Sequence, residues 1–277
     1  MRVFGVDFTS APQPAKPITC AVCQLEDGLL ELEGLEAWTD FSSFEAFLRR
    51  PGSWVAGLDF PFGLPRGFLD EMGTVRTWSG YVNRLARLGR AGFRERVHRF
   101  KAPRPAGQKD LRRVADRLAR AASPLNVTRP PVGLMFLEGA PRLAAAPVSV
   151  LPVRPRQGRP VVLEAYPALV ARALLGHAYK AGAAGGAGRR ARRALLARLG
   201  GAGAGRLYGV MLVRPAPRWT RMLLEDPRGD HLDALLAAVQ AAWALGRPAR
   251  SYGMPAQPDR LEGWIADPAL AGAGRPG

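Results

Sequence analysis

Two short apolar runs, residues 3–8 in "RVFGVDFTSAP" and residues 54–60 in "WVAGLDF", each carry a carboxylate near their end and close on glycine, an apolar residue, aspartate and phenylalanine. Runs of this length and composition read as strands that a sheet buries on both faces. A buried carboxylate costs several kcal/mol unless a cation or hydrogen bonds compensate it. Asp7 and Asp59 therefore call for a central sheet whose strand ends meet something that accepts negative charge. No other feature of the chain constrains the fold as much.

Residues 2–38 read as three strands, "RVFGVDF", "PITCAVCQLE" and "LLELEGLEAW", with a hairpin at Glu26-Asp27-Gly28. Thr39-Asp40 offers N-cap chemistry to a short helix, "FSSFEAFLRR", which Pro51-Gly52 stops before the fourth, fully apolar strand. Three strands, a helix and a buried strand predict a mixed α/β sheet, an antiparallel hairpin unit joined to parallel strands and flanked by helices. Residues 61–159 read as a basic, mostly helical insertion after the fourth strand, with a helix at 112–122 and a Pro-punctuated connector, "APVSVLPVRPRQG". "RPVVLEAYP" is a further buried strand, with Glu164 near its end; Pro167–Leu175 reads as helix, 181–188 as a flexible Gly/Ala loop and 189–199 as a basic helix. "RLYGVMLV" is a strand candidate, and "GDHLDALLAAVQAAWALG" is a helix capped by Asp230 and ended by Gly246-Arg247-Pro248. The whole of 1–277 is expected to form one domain.

No uninterrupted apolar run reaches about 18 residues, and the chain enters a strand pattern without a basic leader, so the expectation is a soluble cytoplasmic protein. Cys20 and Cys23 have CxxC spacing but no second cysteine pair, and residues three apart on a strand face opposite ways, so they read as ordinary strand thiols. The net charge of +17 comes from 36 Arg and 4 Lys against 23 acids. It is confined to two blocks: residues 76–120 carry a net +11 and residues 180–206 a net +7, so everything else sums to −1. Confined positive charge suits a polyanion-binding surface, here nucleic acid, with Arg84, Arg87, Arg94, Arg112, Arg113, Arg189, Arg190 and Arg193 as candidate phosphate contacts. Trp78, Tyr81, Phe93 and Phe100 interleave with the first block, either as stacking platforms for bases or as that segment's own core.

The acids that stand out are Asp7, Asp59, Glu164, Asp230 and Asp233. The first three lie at the ends of apolar strands and can converge if those strands adjoin. Converging carboxylates raise each other's pKa unless a cation sits among them. Hard oxygen ligands on a sheet edge suit Mg²⁺ or Mn²⁺, and two such ions can clamp the attacking and leaving oxygens of a phosphodiester. Asp230 and Asp233, at i and i+3, share a helix face and complete the candidate metal set with Asp7 and Asp59. They also suit a plain capping and dipole role. His231 between them points elsewhere on helix geometry, and Glu45 reads as a surface acid.

In order and spacing, "GVDFTSAP", "GLDFPFGLP", "LRRVADR", "VVLEAYP", "GDHLDALLAAVQAAWA" and "LEGWI" resemble the domain-of-unknown-function family 429, over residues 3 to about 265. That family is grouped with the ribonuclease H-like fold and described as predicted nucleases. The resemblance implies that Asp7, Asp59 and Asp230 or Asp233 occupy the metal-binding positions of the fold, and that Arg113 and Asp116 belong to a further charged motif. Glu45 is the sole candidate for an acid on the first helix.

The leading expectation is thus a Mg²⁺- or Mn²⁺-dependent nuclease with Glu164 assisting. A non-catalytic nucleic-acid-binding protein would keep the basic blocks without needing a metal. An ATP-dependent phosphotransferase of the same superfamily would use Thr9 and Ser10 as a phosphate turn, although Pro12 and Pro14 follow where a glycine-rich turn is expected.

Overall fold

In the computed structural model, which describes residues 1–177, 179–180 and 186–272, the chain builds a mixed α/β sheet with helices on both faces. Its strands are β1 (Arg2–Asp7), β2 (Ile18–Glu26), β3 (Leu29–Trp38), β4 (Trp54–Asp59), β5 (Ser149–Leu151), β6 (Val161–Glu164) and β7 (Met211–Leu212), in the order β5-β6-β4-β1-β2-β3-β7. β1, β2 and β3 form an antiparallel meander, and β4, β5, β6 and β7 each join a neighbour in parallel. The β2–β3 connection is the two-residue turn Asp27-Gly28, with φ of 47° and 78°. Positive φ at both residues matches the twist of the flanking strands, which is why an Asp-Gly pair sits there.

β1 and β4 pair with Gly5 opposite Gly57 and Asp7 opposite Asp59. Residues two apart on a strand share a face, so both glycines and both aspartates look the same way, toward the buried helix Asp230–Leu245. A Cβ on Gly5 would lie 1.9 Å from the carbonyl oxygen of Ala234, and one on Gly57 would lie 2.3 Å from that of Ala237. The helix answers with Ala234, Ala237, Ala238 and Ala241, all fully buried. Small residues on both surfaces let helix backbone rest on strand backbone, and this close seating delivers the first turn of the helix to the ends of β1 and β4.

The opposite face carries Phe4, Val6, Phe8, Leu58 and Phe60, packed under the helix Phe41–Leu48 and the insertion helices Trp78–Ala86, Gly89–Lys101 and Val132–Ala145. Trp78, Tyr81, Phe93 and Phe100 belong to this core and are at most 4% exposed, so the insertion spends its aromatics on its own packing. Cys20 and Cys23 are free and buried, one in each core, as their spacing requires. Among the described residues no helix is long and apolar enough to cross a membrane.

Several boundaries differ from expectation. The helix expected at 112–122 is confined to Val114–Ala119, opened by Arg113 and halted by Arg120 at φ 51°. The connector contains β5. "RLYGVMLV" begins as the last three residues of a helix, Ala202–Tyr208, which Gly209 terminates at φ 66°, leaving β7 only two residues. Of the expected loop at 181–188, residues 181–185 lie outside the described residues, and the helix Gly186–Leu199 already includes the rest. Gly229, at φ 72°, rather than Asp230, occupies the cap of the last long helix, and Asp230 is its first residue.

The C-terminal segment returns to the sheet. Ile265 bridges to Glu164 in parallel and the Ala266 amide donates to the Glu164 carbonyl at 2.9 Å. Buried Asp267 accepts from Gln240 Nε2 at 2.6 Å and from the Tyr208 hydroxyl at 3.2 Å.

Candidate functional site

Asp7 and Asp59 project side by side from the C-terminal ends of two parallel strands, and Asp233 comes down on them from the first turn of the helix Asp230–Leu245. One carboxylate oxygen of each lies within 4.8 Å of the others. Burial pushes the Asp7 carboxyl well above the ordinary range, and Asp233 and Asp59 push it further. Asp59 is raised by burial and then by Asp233. Among the described residues no hydrogen bond lowers either group. Asp233 is also raised, because burial outweighs the two donors it holds.

Those donors are neighbours in sequence. The Tyr179 hydroxyl donates to Asp233 Oδ1 at 2.5 Å, and the Lys180 ammonium donates to Asp233 Oδ2. Burial alone would lower the Lys180 pKa, but the carboxylates of Asp233 and Asp7 outweigh it and hold the amine protonated far into alkaline pH. Lys180 Nζ also lies 4.0 Å from Asp230 Oδ1.

Asp230 stands at the edge of this cluster. Arg228 Nε holds its Oδ2 at 3.0 Å, and its backbone carbonyl accepts from Thr19 Oγ1 at 2.8 Å. His231 turns away to Asp226, Nδ1 to Oδ2 at 3.0 Å. Glu45 pairs with Arg142 at 3.2 Å on the first helix and is not part of the cluster.

Glu164 does not converge with Asp7 and Asp59. β6 pairs with β4 so that Glu164 lies opposite Leu58, one residue short of Asp59, and a one-residue offset places a side chain on the other face of a sheet. There Glu164 accepts from Arg113 Nη2 at 2.5 Å, from Arg113 Nη1 at 2.7 Å and from the Phe62 amide at 2.9 Å. Arg113 also donates to Asp116 at 2.7 and 2.9 Å and to the Glu262 carbonyl at 2.9 Å. With Arg113 at 1% exposure and both carboxylates nearly as deeply buried, Arg113 cannot reach a phosphate in solution. Instead it ties the insertion, β6 and the C-terminal segment together.

The other candidate phosphate contacts, Arg84, Arg87, Arg94, Arg112, Arg189, Arg190 and Arg193, are exposed. Arg189 lies 3.7 Å from Glu225. A cavity of about 200 Å³ borders Asp59, with Pro61, Val132, Met135, Tyr166 and Ile265 among its walls.

Sequence reasoning missed Tyr179, Lys180 and the role of Gly5 and Gly57. The glycines had a readable signal, since each stands two residues before an aspartate and so on its face. Lys180 had a fainter one, being one of 4 lysines in a chain that otherwise uses arginine for positive charge.

A family model described as a protein of unknown function, DUF429, matches residues 5–260, and the chain belongs to this family. No curated protein matches the chain. No solved structure matches it.

Proposed function

We propose that this protein is a divalent-cation-dependent nuclease of the ribonuclease H-like class. The observation that carries the reading is the meeting of Asp7, Asp59 and Asp233 at the ends of two parallel strands, with Asp7 and Asp59 half-buried, raised in pKa and accepting no hydrogen bond from the described residues. Carboxylates held together at such cost fit a hard cation, and an all-oxygen donor set suits Mg²⁺ or Mn²⁺. Asp7, Asp59 and Asp233 would hold it. A cation there supplies charge to the phosphodiester and makes a water nucleophilic at neutral pH.

The chain's own residues supply the remainder. The helix Asp230–Leu245 holds Asp233 over the sheet, and Gly5 and Gly57 allow its backbone to seat directly on the two strands. Exposed arginines of the insertion and of the helix Gly186–Leu199 hold the phosphate backbone. The ribonuclease H-like assignment is supported by the antiparallel meander of β3, β2 and β1, continued in parallel by β4 and β6, and by the family resemblance.

The test is cleavage of labelled single-stranded and duplex DNA and RNA with Mn²⁺ or Mg²⁺, comparing the parent with Asp7→Asn and Asp59→Asn. The reading requires cleavage that chelation abolishes and that each variant lowers at least 100-fold. A second reading, a non-catalytic nucleic-acid-binding protein, is favoured by the ion pair between Lys180 and Asp233, which gives that acid a structural partner. Nucleic-acid binding without cleavage in any metal would select it.

A further inference from the structure

We propose that the carboxylate cluster takes one divalent cation and not two, because the ammonium group of Lys180 already fills the second place. This rests on the metal-dependent reading above.

Charge comes first. Asp7, Asp59 and Asp233 gather three negative charges in a span where their oxygens lie within 4.8 Å of one another. Lys180 returns one positive charge through its bond to Asp233 Oδ2. Asp230 adds nothing to the deficit, since Arg228 pairs with it at 3.0 Å. Two negative charges remain, and one divalent ion neutralises them. A second ion would leave the cluster with excess positive charge or displace Lys180, and buried charge is tolerated only where it is paired.

Lone pairs lead to the same count. Asp233 Oδ1 accepts from Tyr179 and Oδ2 from Lys180, so each of its oxygens has one site engaged. Among the described residues nothing donates to Asp7 or Asp59. The open donors are concentrated at two of the three acids, which is enough for one ion that completes its shell with water.

Lys180 reaches in from the surface, its side chain 43% exposed, but the backbone that carries it is anchored. The neighbouring Tyr179 is 3% exposed. Its hydroxyl lies 3.0 Å from the Gly229 carbonyl as well as bonding Asp233. Its ring packs so closely on Gly229 that a Cβ there would sit 3.0 Å away. The backbone that carries Lys180 is thereby pinned to the same turn that starts the helix bearing Asp233. An ammonium is a compact point charge, closer to a metal ion in size and field than a guanidinium is.

The experiment counts Mn²⁺ bound to the intact protein by electron paramagnetic resonance of the free aqueous ion, in the parent, Lys180→Met and Lys180→Arg. Expected are one ion in the parent, two in Lys180→Met with magnetic coupling between them, and one in Lys180→Arg, which keeps the charge. Two ions in the parent, none in the parent, or one in both the parent and Lys180→Met overturns the proposal. If Lys180→Met does not fold, Lys180→Gln takes its place under the same criteria. Nucleic-acid cleavage is scored separately. Cleavage by a parent holding two ions rejects the single-ion inference and leaves the nuclease reading standing; one bound ion without cleavage does the reverse.

Discussion

Gly5 of β1 lies so close under Ala234 that a single added methyl group would sit 1.9 Å from that residue's carbonyl oxygen. The close approach sets the depth of the last long helix on the sheet, and with it the position of Asp233 over Asp7 and Asp59. Gly5→Ala must push helix and strand apart and should cost about 3 kcal/mol or more. Gly34→Ala, where the nearest atom is the Val22 Cβ at 3.6 Å, should change stability by less than about 1 kcal/mol. Urea unfolding of the two variants checks the contrast.

Asp7 is held above its unfolded pKa by burial and then by its acidic neighbours. A group raised in this way favours the folded state at low pH and costs stability as the pH rises through the interval between the unfolded and folded values. Without metal, Asp7→Asn should therefore be more stable than the parent at pH 8, by on the order of 1 kcal/mol, and the gap should close toward pH 4. Divalent cation should reverse the order. At 100 times its dissociation constant it adds about 2.7 kcal/mol to the parent and little to the variant. Unfolding curves across pH, with and without Mg²⁺, supply the measurement.

Removing Arg113 leaves Asp116 and Glu164 buried with no cation between them. Arg113→Met is expected to lose about 3–5 kcal/mol. An arginine that served only to hold phosphate at the surface would instead leave stability near the parent value and weaken nucleic-acid binding when replaced. Denaturant midpoints set beside binding curves separate the two roles.

The exposed arginines should behave in the opposite way. Replacing Arg84, Arg87 and Arg94, or Arg189, Arg190 and Arg193, with alanine should leave unfolding within about 0.5 kcal/mol per site. Nucleic-acid binding should weaken, and the slope of log affinity against log salt should fall by about 0.7 to 0.9 for each phosphate no longer neutralised. Fluorescence anisotropy over a salt series reads both quantities.

Much of the central sheet was readable because buried strands are written as contiguous apolar runs. Pro167–Leu175 was readable at both ends, with proline at its first position and Gly176 in the left-handed region at its close. β5 was hidden because only three residues of a proline-rich connector pair with β6. "RLYGVMLV" misled because a short apolar run fits helix and strand equally, and only Gly209 divides the two. Asp7 and Asp59 stood out because, apart from Arg2 at the start of β1, nothing else in their strands is polar. Glu164 looked the same, yet its side depends on the offset between β4 and β6, which no local pattern encodes. Its partner Arg113 lies 51 residues away, beyond the range of any spacing argument. Lys180 was invisible for a similar reason, since nothing near it in the chain announces that it meets an acid 53 residues further on.

The match to the family ends at residue 260, whereas the folded unit does not. Glu262 supplies an acceptor to Arg113, Ile265 lines up against the end of β6, and Asp267 receives the amide of Gln240 from the middle of the helix that carries Asp233. These residues work as a clasp, closed over the insertion, the sheet edge and the last long helix at once. A fragment trimmed to the recognised span would lose acceptors of three buried donors, on Arg113, Gln240 and Tyr208, and the cover of one sheet edge together. It would be an opened form of the molecule and not a smaller copy of it.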